Sequence, residues 1–213
     1  ISDDDATDTE REALIESLDK NESLDHYTKI RLSKLTAPNG KSNLSVYVFV
    51  PENLENFKKD VTLRNRVTKE EYELPEDGAA VCEKTASLLG LKIGDELTLE
   101  KDDKEYHVKI SVITENYAGH YVYMTPECYQ SLFGKDIEYD EIFVVNKDPE
   151  DISYENDFSA KYLDNNAVSG ITFTRTISDR IESMITSMNI VTYVLVVSAG
   201  LLAFIVLYNL NNI

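Results

Sequence analysis

Charge is missing from the end of this 213-residue chain: no Asp, Glu, Lys or Arg follows Glu182, leaving 31 residues without one. Elsewhere charge is plentiful, with 39 acids against 21 bases and a formal net charge of -18. Proline is also missing from residues 176–213, and Gly200 is the only glycine there, so no residue in that stretch is a strong helix breaker. Cysteine is reduced to Cys82 and Cys128, with neither a CxxC nor a metal-ligand partner beside them. Two such residues permit one disulfide in an extracellular domain; the preferred reading is a pair of small buried hydrophobes.

Catalytic signatures are missing as well. The three histidines, His26, His107 and His120, are scattered, and His120 at the start of a strand reads as structural. No HExxH, GxSxG or glycine-rich phosphate loop occurs. The expectation is therefore a protein that is not an enzyme, with no catalytic residue, cofactor or metal; any ATP hydrolysis that drives it belongs to another domain or chain. No basic stripe is present either. Residues 1–25 carry ten acids against Arg11 and Lys20, which argues against nucleic acid and anionic lipid surfaces as partners. The run Asp3, Asp4, Asp5 lacks the glycine and closing glutamate of a calcium loop and reads as a solvated acidic arm.

What is there is apolar. "MNIVTYVLVVSAGLLAFIVLYNLNNI", residues 188–213, has its apolar heart at residues 190–210, which as a helix rises about 31 Å, close to the hydrocarbon thickness of a bilayer. Val191, Tyr193, Leu195, Val197, Leu201, Phe204, Val206 and Leu207 face every direction, as a lipid-embedded helix requires and a soluble one rarely shows. Tyr193 and Tyr208 sit near its ends, where interfacial aromatics anchor a span. A secretory signal would stand at the other terminus behind basic residues. With Ile1 in place of a starting methionine, the expectation is an excerpt from a longer membrane protein.

Ahead of the span, Ile177, Ile181, Met184, Ile185 and Met188 recur at helical intervals, a stripe expected to pack against something while Ser178, Arg180, Glu182, Ser183 and Ser187 face outward. Thr176 and Asp179 have the spacing of a capping box at its start. One rod over residues 176–210 would measure about 52 Å.

The preceding residues alternate strands and helices in mixed order, which predicts an α+β domain: a mixed sheet with short helices. "TDTEREALIESLDK" predicts a first helix with Ala13, Leu14 and Leu18 on one stripe, and "NLSVYVFVP" a strand apolar on both faces. Residues 83–89 predict a short helix stopped by Gly90. A hairpin follows around "KDDK", with Tyr106, Val108, Ile110 and Val112 on one side of its return strand. "HYVYM" and "DEIFVVN" read as strands. "TPECYQSLFG" is a helix capped by Thr125, started by Pro126 and closed by Gly134, "DISYENDFSAKYLDNN" another helix, and "VSGITFT" a last strand. The thirteen tyrosines fall mostly in strands, where the ring packs and the hydroxyl stays wet. No internal repeat or low-complexity linker occurs. The expected layout is an extracytoplasmic domain over residues 1–175, an amphipathic stalk helix over 176–189 and a transmembrane helix over 190–213.

Three stretches, "CEKTASLLGLKIGDELTL", "YHVKISVITENYAGHYVYMTPECYQSLFG" and the apolar terminus, resemble FtsX-like permeases of Gram-positive ABC transporters, of the large two-module kind. The likeness runs from about residue 46 to the end; the first forty residues lie outside it, and Cys82 replaces a small or polar residue expected there. The resemblance implies an extracytoplasmic domain between the first and second transmembrane helices of a module, with residue 190 onward as the second. It further implies a multi-pass protein of the cell membrane whose soluble part is extracellular. Its partners would be the lipid bilayer, a cytoplasmic ABC ATPase subunit and a second permease module or subunit. The implied mechanism is mechanotransmission, in which helices carry ATPase motion outward. The alternatives are a membrane-tethered extracellular sensor or binding domain without an ATPase partner and, least supported, an anchored cell-wall enzyme.

Overall fold

The computed structural model describes residues 6–40, 43–134, 136–148 and 152–211. The chain divides into two units, Ile1–Ser169 and Gly170–Ile213. Asp3, Asp4 and Asp5, read as an acidic arm, lie outside the described residues.

The first unit opens with helix α1 (Asp8–Asp19), set by a full capping box: the Thr7 hydroxyl accepts from the Glu10 N–H while the Glu10 carboxylate accepts from the Thr7 N–H. Leu14 and Leu18 are buried; Ala13 is exposed, because the apolar stripe is only two residues wide. Among the described residues the strands are β1 (Leu24–Pro38), β2 (Asn43–Pro51), β3 (Leu63–Arg64), β4 (Glu71–Tyr72), β5 (Ala79–Cys82), β6 (Glu96–Lys101), β7 (Lys104–Thr114), β8 (Tyr121–Tyr123) and β9 (Glu141–Asn146). The helices between them are α2 (Leu54–Asp60), α3 (Glu83–Leu89), α4 (Pro126–Phe133) and, after β9, α5 (Ile152–Tyr162). The α+β class expected from the sequence is the one observed.

Seven strands form one mixed sheet in the order β2-β8-β5-β7-β6-β1-β9, and β1 also pairs with β2. That last pairing closes β2, β8, β5, β7, β6 and β1 into a ring, with β9 paired along the first half of β1, Leu24–Ile30. Closure leaves the six strands few open edges. The ring encloses the main core, where Val46, Val48, Leu97, Leu99, Ile110 and Val122 are fully or almost fully buried, together with Ala86 of α3 and Tyr129 and Phe133 of α4. Thr125, Pro126 and Gly134 do for α4 what their positions predict, and Gly90 ends α3 in the left-handed conformation. The β6–β7 turn puts Asp102 and Asp103 at positive φ, 51° and 60°, as a two-residue hairpin loop demands.

Strand β1 has no counterpart in the sequence reading. Its buried face changes along its length: Thr28 and Ile30 are buried in the first half, while Ser33, Leu35 and Ala37 have the opposite parity and enter the ring core opposite Val48, Val46 and Leu44. No single alternation survives such a switch, and two inward positions are hydroxyl residues. The short helix α2 and the β3–β4 pair also lacked a sequence signal.

Strand β7 departs from the expected single face. Its register against β5 slips by one residue, Ala79 facing Ile110 but Ala80 facing Val112, so Ser111 is the extra residue of a bulge. Val112 therefore leaves the ring core and packs with Phe57, Leu63, Ala80 and Tyr123 on the other side, while Ile113 turns inward. The bulge is held by Asp77, which accepts from Lys109 Nζ at 2.9 Å and, through its carbonyl, from Ser111 Oγ at 3.2 Å. Next to it Gly78 has φ 153°, and a Cβ there would lie 2.5 Å from both Lys109 O and Ser111 Oγ.

"VSGITFT" is not a strand. Residues 168–173 carry no regular structure, although Ile171 and Phe173 are half-buried and Thr172 is exposed. The alternation is real but finds no ladder to join.

His26 ties β1 to α2. Its Nδ1 stands 2.9 Å from Asp25 Oδ2 and its Nε2 3.0 Å from both carboxylate oxygens of Asp60, with side-chain exposures of 15% and 9% for His26 and Asp60. Burial of the ring opposes its charge, but the bonds to Asp25 and Asp60 outweigh that, and the pKa ends above its ordinary 6.5. Both ring nitrogens donate only in the imidazolium.

Two measurements check these points. Gly78→Ala should lower stability by about 2–4 kcal/mol, since the added carbon meets backbone and φ is unsuited to an L side chain; an unchanged denaturation midpoint would show that the bulge relaxes freely. The His26 contribution is fully present below about pH 6.5 and is lost as pH rises through the raised folded value. The denaturation midpoint should accordingly fall as pH rises above about 6.5, and His26→Asn should flatten that slope.

Candidate functional site

The second unit contains helix α6, Thr174–Asn211, 38 residues and about 57 Å long at the standard rise. It starts two residues before Thr176, so Thr176 lies inside the helix instead of capping it; the side chains of Thr176, Asp179, Arg180 and Ile181 are outside the described set. The stripe expected to pack is open: Ile177, Met184, Ile185 and Met188 are 49%, 67%, 54% and 70% exposed.

From Glu182 to Asn211 the helix is long and apolar enough to cross a membrane, and none of that span is buried by the rest of the chain. Two hydroxyls within it are satisfied locally. Ser187 Oγ donates to Ser183 O at 2.9 Å and Thr192 Oγ1 to Met188 O at 3.0 Å, each one turn back. Such back-bonding, with every backbone bond inside the helix, suits surroundings that offer no partners of their own. Tyr193 and Tyr208 are exposed, as interfacial anchors would be.

Among the described residues no group of three or more His, Cys, Asp or Glu could hold a metal ion. Cys82 and Cys128 are free thiols, the first buried and the second half-buried. Burial pushes the Cys128 thiol up. Cys82 Sγ lies 2.8 Å from the hydroxyl of the fully buried Thr85, and that hydroxyl lies 3.0 Å from His120 Nδ1. Burial and nearby Lys84 lower the pKa of His120, favouring a neutral ring within the chain Cys82–Thr85–His120. His120 also fixes β2 through its carbonyl, which accepts from the Tyr47 N–H at 2.7 Å. His107 contacts Thr98 at 3.2 Å across the hairpin. The three histidines thus remain apart, each held by its own neighbours.

Two surface features have no sequence signal. Around Glu115, whose side chain is 6% exposed, Lys69, Arg64 and Tyr117 all donate to the carboxylate, and they hold its pKa at about 2. This ties the β3–β4 loop to the end of β7. The second feature is a groove of about 520 Å³ between α1 and the start of β9, with Leu14, Ile15, Tyr139 and Ile142 on its walls and Glu12 and Glu141 beside them. A third device was half legible: the tyrosines form a packed layer, with Tyr47 against Tyr121, Tyr121 stacked on Tyr123, and Tyr123 against Phe49 and Phe57.

No family model matches this sequence, and no curated protein matches it. Among solved structures the chain is similar to the periplasmic region of MacB from Actinobacillus actinomycetemcomitans, at 11% identity and a TM-score of 0.46 over 80% of this chain and 81% of that one. It is also similar to the extracellular domain of the noncanonic ABC-type transporter YknZ from Gram-positive bacteria, at 12% identity and a TM-score of 0.47 over 77% of this chain and 92% of that one. Both neighbours are regions outside the cytoplasm.

Proposed function

We propose that this chain is the extracytoplasmic domain of an FtsX-like ABC transporter permease together with the transmembrane helix that follows it. In this reading a cytoplasmic ATPase subunit closes and opens, and the permease converts that motion into export or extracellular work by mechanotransmission. The domain itself performs no catalysis, and a second permease module or subunit completes the membrane part of a multi-pass protein. The observation that carries the reading is α6: the amphipathic turns and the apolar span are one uninterrupted helix, Thr174–Asn211. Axial displacement at one end of a hydrogen-bonded helix reaches the other end, whereas a flexible linker would dissipate it. The sequence resemblance supplies the family; the exposed apolar circumference of α6 supports the bilayer as partner.

The test is a glycine-serine insertion between residues 183 and 188 in the full-length permease with its ATPase. Transport or extracellular work should drop at least about 10-fold while ATP hydrolysis continues, because this tenfold is only about 1.4 kcal/mol of lost coupling. Full transport in the insertion variant would refute the rod. Absence of any ATPase that copurifies with the full-length protein would favour the tethered sensor.

A further inference from the structure

Strand β9, Glu141–Asn146, is hydrogen-bonded on one side only: among the described residues its sole strand partner is β1. Open edges are usually blunted by a lysine or proline within the strand, by a bulge, or by brevity. "EIFVVN" has neither residue, runs for six positions, and leaves Phe143 38% exposed. The one irregularity in its pairing lies on the β1 side, between Leu24 and His26.

The sequence of this edge is complementary to itself when reversed. In an antiparallel pair centred on Val144, residue i of one strand faces residue 288 − i of the other. Glu141 then faces Lys147, Ile142 faces Asn146, Phe143 faces Val145 and Val144 faces itself. Glu141 and Lys147 are both exposed. Lys147 Nζ donates to the Glu22 carbonyl at 2.8 Å, an exposed bond that a carboxylate can replace. Opposite charges directly across an antiparallel pair stabilise it, and like charges there destabilise it. The two-fold relation supplies the favourable pair twice, one at each end of an apolar middle. A parallel arrangement would instead stack Glu141 on Glu141 and Lys147 on Lys147.

We propose that β9 is an interaction edge for a second copy of this chain, the two strands joining antiparallel about Val144. The contact is isologous and therefore closes as a dimer instead of propagating. Seven residues a side bury far less than the roughly 1,200–2,000 Å² of a stable interface, so the pair is weak in free solution. Two copies held at one membrane meet at a much higher effective concentration. Only this last point rests on the membrane reading; the pairing itself stands on β9.

The test uses the full chain in lipid vesicles, with Cys128→Ser to remove the half-buried thiol and Val144→Cys as reporter. Opposed residues of an antiparallel pair have Cα atoms about 4.5–5.5 Å apart, within disulfide reach. Mild oxidation should link Val144→Cys at least about 10-fold faster than Glu105→Cys, an exposed site on the β6–β7 hairpin. Adding Glu141→Lys should abolish that advantage, and so should Lys147→Glu, because each variant sets like charges opposite at both ends. Combining the two changes in one chain, or mixing the two single variants, should restore it. Equal rates at the two reporter sites, or a loss that the double change does not restore, would overturn the proposal. Vesicle flotation reads membrane insertion separately, so a chain that floats but does not crosslink sinks the edge pairing alone.

Discussion

The last helix sets a solvation constraint that everything else must meet. Thirteen Val, Ile, Leu or Phe side chains between Ile190 and Leu210 are exposed. At about 1.5–3 kcal/mol for each such side chain removed from water, their desolvation is on the order of 20–40 kcal/mol. The net stability of an ordinary folded domain is only about 5–15 kcal/mol. The core of the first unit, where Leu97, Leu99, Val122 and their neighbours exclude water, is already filled by its own side chains. A bilayer would meet the demand directly, and the back-bonded hydroxyls of Ser187 and Thr192 ask nothing of their surroundings.

The first unit is governed by a different economy of contacts. The ring of strands has apolar residues on both sides, an enclosed core and an outer layer in which Phe57, Leu63, Ala80 and Tyr123 pack together. Strand β7 belongs to both because its bulge at Ser111 turns one residue outward and the next inward. Gly78 is the residue that lets β5 approach that bulge. The polar anchors lie at the margins, with His26 between Asp25 and Asp60 and Glu115 among Arg64, Lys69 and Tyr117. They bind loops and helix ends to the ring instead of converging on one cavity.

Local signals in the sequence carried far. Thr125, Pro126 and Gly134 marked α4, Gly90 ended α3, and the period of Leu97, Leu99, Val108 and Ile110 located the hairpin, because each depends on neighbours within a few positions. The apolar terminus was equally plain. What stayed hidden was long-range. β1 buries Thr28 and Ile30 on one side and Ser33, Leu35 and Ala37 on the other, which only the partners β9 and β2 explain. Val112 was assigned to the wrong side because a bulge is defined against a partner strand, and the alternation of residues 168–174 suggested a strand that has no neighbour. The Cys82–Thr85–His120 chain joins residues up to 38 positions apart, with no motif to announce it.

Strand β1 is the keystone of the ring, and its three partners are made at very different times. Its hairpin with β2 is available almost at once, but β6 follows some sixty residues later and β9 more than a hundred. At about 5–20 residues per second, the side of β1 that receives β9 waits roughly 5–20 s for its partner during synthesis. Through that interval the early hairpin is an unfinished surface that any other extended segment could occupy. The order of the strands thus makes maturation of this domain a post-emergence event, in which the first fifty residues wait for the last strand to arrive.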